Sequence, residues 1–463
     1  IMGRKTLFGV LVAVAVLGLI PVVAVAQVDA YHFTGINFNF ANPGARARGI
    51  GGAFVALADD ATAALANPAG LAFLDRQFTI EYVHDEEKAP VGQVTQGGIS
   101  VSGDPGSLIY TAENDPFRVW GESKSDRIDF ASFVFPLFSR KVGLSVYYAS
   151  LADLGQDYDV GVGLYCNDGG HPFTPNAGES CQRGTTFRNF YYPQTVMTRL
   201  KVDVTGAGFG WKLGDTFSIG ASAGYTQTTF SGLSILDTAS FDPLTAEQRW
   251  KSEVDDNDIM YSLGLLYRGD VFGFGLSYRS ETKFEIANVL EDDAVLEDDV
   301  FSGEFTIPER LAAGVAIFAG DHWVIAGEYV RLPYSAMPKG MPFQFDELRQ
   351  QFGVEYAMTD VSEYHLGVEY TAFSANKGWS LRFGYWRDQS HLIYSSQGYN
   401  DPTTGFTDDV QASAALLYRE LDLDFDHFTG GIGAAFGFIR LDAAVDYSSD
   451  AGTDFLLSAV VYF

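Results

Sequence analysis

The stretch IMYSLGLLYRG, Ile259–Gly269, decides how the chain folds. Ile259, Tyr261, Leu263, Leu265 and Tyr267 fall on one side of an extended chain, and Asp258, Ser262, Gly264 and Arg268 on the other. Side chains of a strand point to alternate faces, so this is a strand with one apolar face. The pattern returns in FTIEYV (78–83), WSLRFGYWRD (379–388) and IRLDAAVDYS (439–448). It closes the chain in DFLLSAVVYF (454–463), where Phe455, Leu457, Ala459, Val461 and Phe463 share a face.

Fourteen such runs are found, near 77–84, 127–137, 140–149, 197–213, 215–230, 255–268, 272–286, 304–319, 322–333, 362–374, 377–389, 424–437, 438–447 and 454–463. Many fit the roughly 9–11 residues of a tilted transmembrane strand. Long connections alternate with short ones, as they do when turns sit on the periplasmic side of an outer-membrane barrel and loops outside. The fold expected is all-β: a transmembrane antiparallel β-barrel of about fourteen strands. A last strand that ends on an aromatic residue resembles the assembly signal of such barrels. It implies the barrel-assembly machinery, outer-membrane lipid and lipopolysaccharide as partners, and a monomer.

The two ends of the chain fit export. Arg4 and Lys5 precede an apolar run that ends Ala24-Val25-Ala26, the pattern of a secretory signal peptide over 1–26. The competing reading is a membrane anchor, and Pro21 before the Ala-rich end favours cleavage. The domains expected are the signal peptide 1–26, a lumenal hatch or plug 27–76, and the barrel 77–463.

With Lys+Arg 30 against Asp+Glu 59, the net charge of −29 speaks against nucleic acid, whose binding needs clustered cations. Cys166 and Cys181 flank a loop rich in Gly, Pro and Asn. In an exported protein they are expected as one disulfide, stabilising by about 3 kcal/mol. Only His171 lies between them, too few ligands for a metal site.

Several motifs fail on context. GASAG (220–224) has the nucleophile-elbow spacing around Ser222, but sits mid-strand with no helix after it. GIGGAF (49–54) lacks the third glycine of a dinucleotide loop. EDDAVLEDD (291–299) lacks the spacing and central Gly of a calcium loop and reads as a solvated outer loop. No enzyme activity, cofactor or metal is expected.

In a barrel the apolar face meets lipid and the other face the lumen. Counting back from Phe463 places Lys201, Asp203, Arg268, Arg279, Glu281, Arg310, Glu328, Glu369, Arg382, Arg440 and Asp442 inside. In the fourth run, Leu200, Val202 and Val204 hand over to Phe209, Trp211 and Leu213. A bulge is therefore expected at Gly206 and Gly208. Pro308 predicts a second irregularity.

One segment stands apart: GARARGIGGAFVALADDATAALANPAGLAFL, Gly44–Leu74. Asp59-Asp60 at its centre makes a lipid-facing span costly, and Asn67-Pro68 ends any helix. The economical place for it is the lumen, with Asp59 and Asp60 against inward arginines. Removing 44–74 is expected to turn a closed barrel leaky in single-channel recordings.

This segment, with Gly51-Gly52, Ala58-Asp59-Asp60 and Asn67-Pro68-Ala69, resembles the N-terminal segment of the FadL/TodX family of outer-membrane transporters for long-chain fatty acids and hydrocarbons. The stretches 305–335, 364–390 and 428–448 resemble that family's later hairpins. The resemblance implies a fourteen-stranded barrel plugged by an N-terminal hatch. It also implies uptake of hydrophobic molecules through a lumenal pocket, with sideways release at a kinked strand and a plug shift that opens the path. Gly51, Gly52, Asp59, Asp60, Asn67 and Pro68 become the candidate gating residues. An anionic head group would want an inward cation, and Arg279, Arg310 and Arg382 are the candidates, unless each pairs with a lumenal carboxylate. The Cys166–Cys181 loop has no counterpart in the family pattern. The acidic outer loops repel fatty-acid anions at long range, which leaves neutral hydrocarbons or aromatics open. Alternatives are a PorV-like barrel that shuttles or anchors secreted proteins, and a general porin.

Overall fold

The computed structural model describes residues 38, 40–101, 108–138, 140–160, 163–168, 171–173, 186–190, 194–236, 248–292, 299–341, 356–374, 377–395 and 423–463. The signal segment 1–26, Cys181, the side chain of Cys166 and most of the acidic run 291–299 lie outside that description.

Fourteen antiparallel strands form a closed barrel. They are β1 Gln77–Val101, β2 Leu108–Leu137, β3 Val142–Val160, β4 Gln194–Lys212, β5 Phe217–Leu236 and β6 Gln248–Arg268. Then come β7, in two pieces Phe272–Arg279 and Thr282–Asp292, and β8, in two pieces Asp299–Ile307 and Arg310–Ala319. β9 Trp323–Leu332, β10 Val361–Ser374, β11 Lys377–Asp388, β12 Phe425–Phe436, β13 Ile439–Ser448 and β14 Gly452–Tyr462 complete the wall. β14 pairs back onto β1 from Tyr462–Gln77 up to Gly452–Glu87, so no edge is left open. Among the described residues no helix is long and apolar enough to cross a membrane; the strands make the crossing.

The outer face shows why. Leu263, Val315, Ile325, Leu366, Ile432, Leu441 and Leu457 are exposed on it. Trp211, Trp323 and Trp379 flank this band at the end with the tight turns, and Tyr225, Tyr261, Tyr364 and Tyr447 at the other. Exposed apolar residues between two aromatic girdles are the surface of a membrane-spanning barrel.

The strands lie where the alternation places them, but three run well past it: β1 continues from 84 to Val101, β2 begins at Leu108 and not near 127, and β3 continues from 149 to Val160. The interruption of β8 falls on Pro308, where a ladder donor is missing. Two expectations fail. Lys201 is exposed and Asp203 points outward beside Tyr148, not into the lumen. No bulge exists at Gly206 or Gly208: β4 pairs with β5 without a slip from Gln194–Leu236 to Lys212–Ser218. The inward residues run Val196, Leu200, Val202, Val204, then Gly206, Gly208 and Gly210. What changes along β4 is the surroundings. Below the tyrosine girdle the outside is lipid and the inside is small. Above it the outside is water, with Arg199 paired to Asp157 and holding that carboxyl below its usual range, and the inside is a packed apolar cluster, called the chamber below.

Glu281 is also exposed rather than lumenal. Here the backbone is responsible, because β7 slips at Ser280. Its inward residues are odd-numbered through Arg279 and even-numbered from Thr282, Phe284 and Ile286. Bulges of the first half of the barrel lie elsewhere: in β3, where Ser150 pairs with Asp203 and Ala152 with Val202, leaving Leu151 over, and in β2, where Phe130 pairs with Glu81 and Ile128 with Tyr82, leaving Asp129 over.

Candidate functional site

Residues 41–74 fill the lumen, and nearly all are buried. Their regular structure is slight: one helical turn at Ala45–Gly49, another at Ala63–Ala66, and a 3-10 turn at Pro68–Phe73. The Asn67 side chain caps the 3-10 turn by accepting from Ala69 N–H, with Pro68 at its first position. With so few internal hydrogen bonds, the segment is held by the wall.

The wall provides a seat made of glycine. Gly143, Gly210, Gly220 and Gly264 are directly paired neighbours across β3, β4, β5 and β6. Gly275 faces Gly314 across β7 and β8, and Gly367 faces Gly384 across β10 and β11. A Cβ on Gly143 would lie 1.9 Å from Leu71 O, on Gly220 2.3 Å from Ala69 N, and on Gly264 2.1 Å from Asn67 Oδ1. On the far side, a Cβ on Gly275 would lie 2.2 Å from Val55 O and one on Gly367 2.1 Å from Ile50 O. No side chain fits at such distances, so this belt lets the plug backbone press onto the sheet.

Charged residues complete the seat. Glu328 of β9 accepts from Phe54 N–H (2.9 Å), Val55 N–H (2.8 Å), Asn42 Nδ2 (3.0 Å) and Arg310 (2.7 Å). Glu369 binds Arg46 of the plug through two bonds (2.8 and 2.9 Å) and Arg382 of the wall (2.5 Å). Arg382 continues to Asp442 (2.8 Å), Asp442 to Arg440 (2.7 Å), and Arg440 to Asp60 of the plug (2.6 Å). Asp59 contacts Arg46 and lies 3.9 Å from Arg268. Arg48 reaches Asp454 (2.7 Å) and Asp446 (3.3 Å). Gly51, at φ 67°, donates its N–H to Thr429 (3.0 Å), and its carbonyl accepts from His365 Nδ1 (2.7 Å). Gly52, at φ 80°, lies against the same imidazole, which a Cβ there would meet at 2.9 Å.

The three arginines singled out in the sequence have different surroundings. Arg310 is consumed by Glu328, and Arg382 by Glu369 and Asp442. Arg279 is equally buried, yet no carboxylate lies within ion-pair distance of it among the described residues. Its guanidinium sits 5.6 Å from the Phe40 ring centre. It also lines a cavity with Glu81, Asp129, Ser150 and Leu151. That cavity lies beside the β3 bulge, where the wall is looser: among the described residues β2 and β3 pair backbone to backbone from Leu137–Val142 up to Phe130–Ala149, and above that Gly155 N–H donates to the Ser123 hydroxyl (3.0 Å).

Above the plug the lumen is apolar. Leu154, Val202, Phe230, Phe284, Phe305, Leu332, Tyr334 and Met337 form one buried cluster, into which Phe38 and Phe40 of the N-terminal segment insert. Sequence reasoning missed both this chamber and the glycine belt. The belt had a signal, namely glycine at inward positions on successive strands. The chamber's apolar residues on β4, Val196, Leu200, Val202 and Val204, were visible as a run but fall on the lipid side in the parity count.

No family model and no curated protein sequence matches the chain. Solved structures do. A Pseudomonas aeruginosa FadL homologue matches with a TM-score of 0.57 and 15% identity over 93% of this chain and 99% of that one. The toluene transporters TodX of P. putida and TbuX of Ralstonia pickettii each match with a TM-score of 0.53, at 15% and 14% identity, over 92% of this chain and 99% of theirs. At these identities the likeness is one of architecture. The chain has the FadL/TodX fold, that of a barrel belonging to an outer membrane.

Proposed function

We propose that the chain is an outer-membrane transport protein that takes up hydrophobic small molecules, long-chain fatty acids or hydrocarbons, by diffusion. The observation that carries this reading is an apolar lumen above the plug, filled in this structure by packed side chains that include Phe38 and Phe40, beside a wall whose β2–β3 backbone pairing stops at Phe130–Ala149. A greasy solute gains about 0.8 kcal/mol for each CH₂ it buries, so such a chamber binds it without a specific polar partner. The gap beside Leu151 offers sideways release into the membrane, and displacement of the plug connects chamber and gap. The names of similar structures, two toluene transporters and a monoaromatic hydrocarbon channel, favour neutral, compact passengers, as do the acidic outer loops. A general porin fits poorly, because the plug is pressed onto the wall on both sides of the lumen.

Arg279 is the residue we assign to an anionic head group, since Arg310 and Arg382 already hold carboxylates. The test is native mass spectrometry and lipid extraction of the purified barrel. Wild type is expected to retain apolar or amphiphilic molecules. Arg279→Ala should lose carboxylate-bearing ones by about tenfold, the size of one charge-assisted hydrogen bond, and keep neutral ones. An empty wild-type barrel with ohmic conductance would sink the transport reading.

A further inference from the structure

β3 and β7 are built alike. Each carries an outward tyrosine at the outer girdle, Tyr148 and Tyr278, whose hydroxyl donates to a carboxylate of the next strand, Asp203 (2.8 Å) and Glu309 (2.7 Å). Two residues on, at Ser150 and Ser280, the inward–outward alternation slips. Above the slip each strand loses one neighbour. For β3 that neighbour is β2.

For β7 it is β6. Their pairing stops at Ser262–Arg279 and resumes at Glu253–Ala287, out of step by one residue. At the lower end of the interruption, Ser280 N–H still donates to Tyr261 O (2.9 Å), while Tyr261 N–H turns to the Ser280 hydroxyl (3.0 Å). Higher up, side chains replace the ladder. Asp258 accepts from Lys283 N–H (2.8 Å) and Asp256 from Glu285 N–H (3.0 Å). The backbone groups are thus satisfied, as they must be near a membrane. They are satisfied, however, by two carboxylates that release on a rotamer change, and not by a ladder that parts only as a unit.

The seam lies just above the girdle residues Tyr261 and Tyr278, at head-group level. Behind it, Phe284 and Ile286 belong to the apolar chamber. Arg279 at its base lines the cavity that also touches Ser150 and Leu151 of the β3 break. The two interruptions therefore share one interior.

We infer that the β6–β7 seam is a second side port, through which apolar solutes pass between the outer head-group layer and the chamber, with Asp256 and Asp258 as its latch. An apolar solute concentrates in the membrane interface by about 0.8 kcal/mol per CH₂ over water, so a port at that level draws on a richer pool than the loops do. The inference rests on the transport reading and adds a route to it.

The experiment uses the full chain with Cys166 and Cys181 replaced by serine. Asn257→Cys and Lys283→Cys, both exposed across the seam, are joined by a short bis-maleimide. Thr205→Cys and Tyr225→Cys, paired where the wall is continuous, provide the control staple. Pyrene transfer into proteoliposomes is followed by fluorescence. The seam staple should slow transfer about fivefold, as expected when a gating motion is blocked, and the control staple should not. Asp256→Ala/Asp258→Ala, which removes the latch, should speed it. Equal rates with and without the seam staple overturn the port while leaving transport standing. Absence of transfer even in the unstapled protein brings down the transport reading, and the port with it.

Discussion

Gly264→Val is expected to open the barrel. A Cβ at this position would lie 2.1 Å from Asn67 Oδ1, 2.9 Å from Ala69 N and 3.0 Å from Pro68 Cδ, all atoms of the plug. Gly264 itself is fixed in β6 by pairing with Gly220 on one side and Ser277 on the other. Overpacking commonly costs about 1–3 kcal/mol where both partners can relax. Here one partner is a closed sheet and the other a segment with only single turns of internal structure, so the plug yields. It would lose the Asn67 contacts to Val55 O (2.9 Å) and Leu265 O (3.1 Å), which join its two halves to each other and to the wall. The expected readout is single-channel conductance that rises from closed to a steady leak, with the heat-modifiable gel mobility of a folded barrel unchanged. Gly430→Ala provides the control, since nothing lies within 4 Å of its added Cβ. A closed Gly264→Val barrel would show that the belt does not seat the plug.

The strands were legible in the sequence because lipid enforces strict alternation, and the irregularity at Pro308 because proline lacks a ladder donor. The face each charge occupies was legible only within the membrane. Arg310, Glu328, Glu369, Arg382 and Asp442 are buried inside as parity requires. Lys201, Asp203 and Glu281 are not, for two different reasons. Along β4 the apolar environment moves from outside to inside at the girdle, so hydrophobicity changes side while the backbone does not. Along β7 the backbone slips at Ser280. Both leave the same trace in a sequence, a shift of the apolar residues by one, and only strand pairing separates them. The same ambiguity hid the chamber, whose Leu200 and Val202 read as lipid-facing. The arginine candidates were found by parity as well, but parity does not reveal that Arg310 and Arg382 have carboxylate partners and that Arg279 has none within ion-pair distance among the described residues.

Glu328→Ala should be the most damaging single substitution in the lumen. Four donors converge on this buried carboxylate: two plug amides, the plug's Asn42 and the wall's Arg310. Removing one partner of a buried pair costs about 3–5 kcal/mol, because the other charge is left without compensation. The orphaned amides of Phe54 and Val55 add about 1–3 kcal/mol each. The charge and the anchor separate in a double variant. Glu328→Ala/Arg310→Ala removes the stranded guanidinium and should recover much of the stability to urea. It leaves the Phe54 and Val55 amides without an acceptor, so the plug should stay loose. Hydrogen exchange at those two amides and channel conductance are the measurements. Slow exchange and a closed channel in the double variant would mean that Glu328 serves only to neutralise Arg310. Fast exchange with restored stability would make it the residue that ties the first half of the plug to the wall.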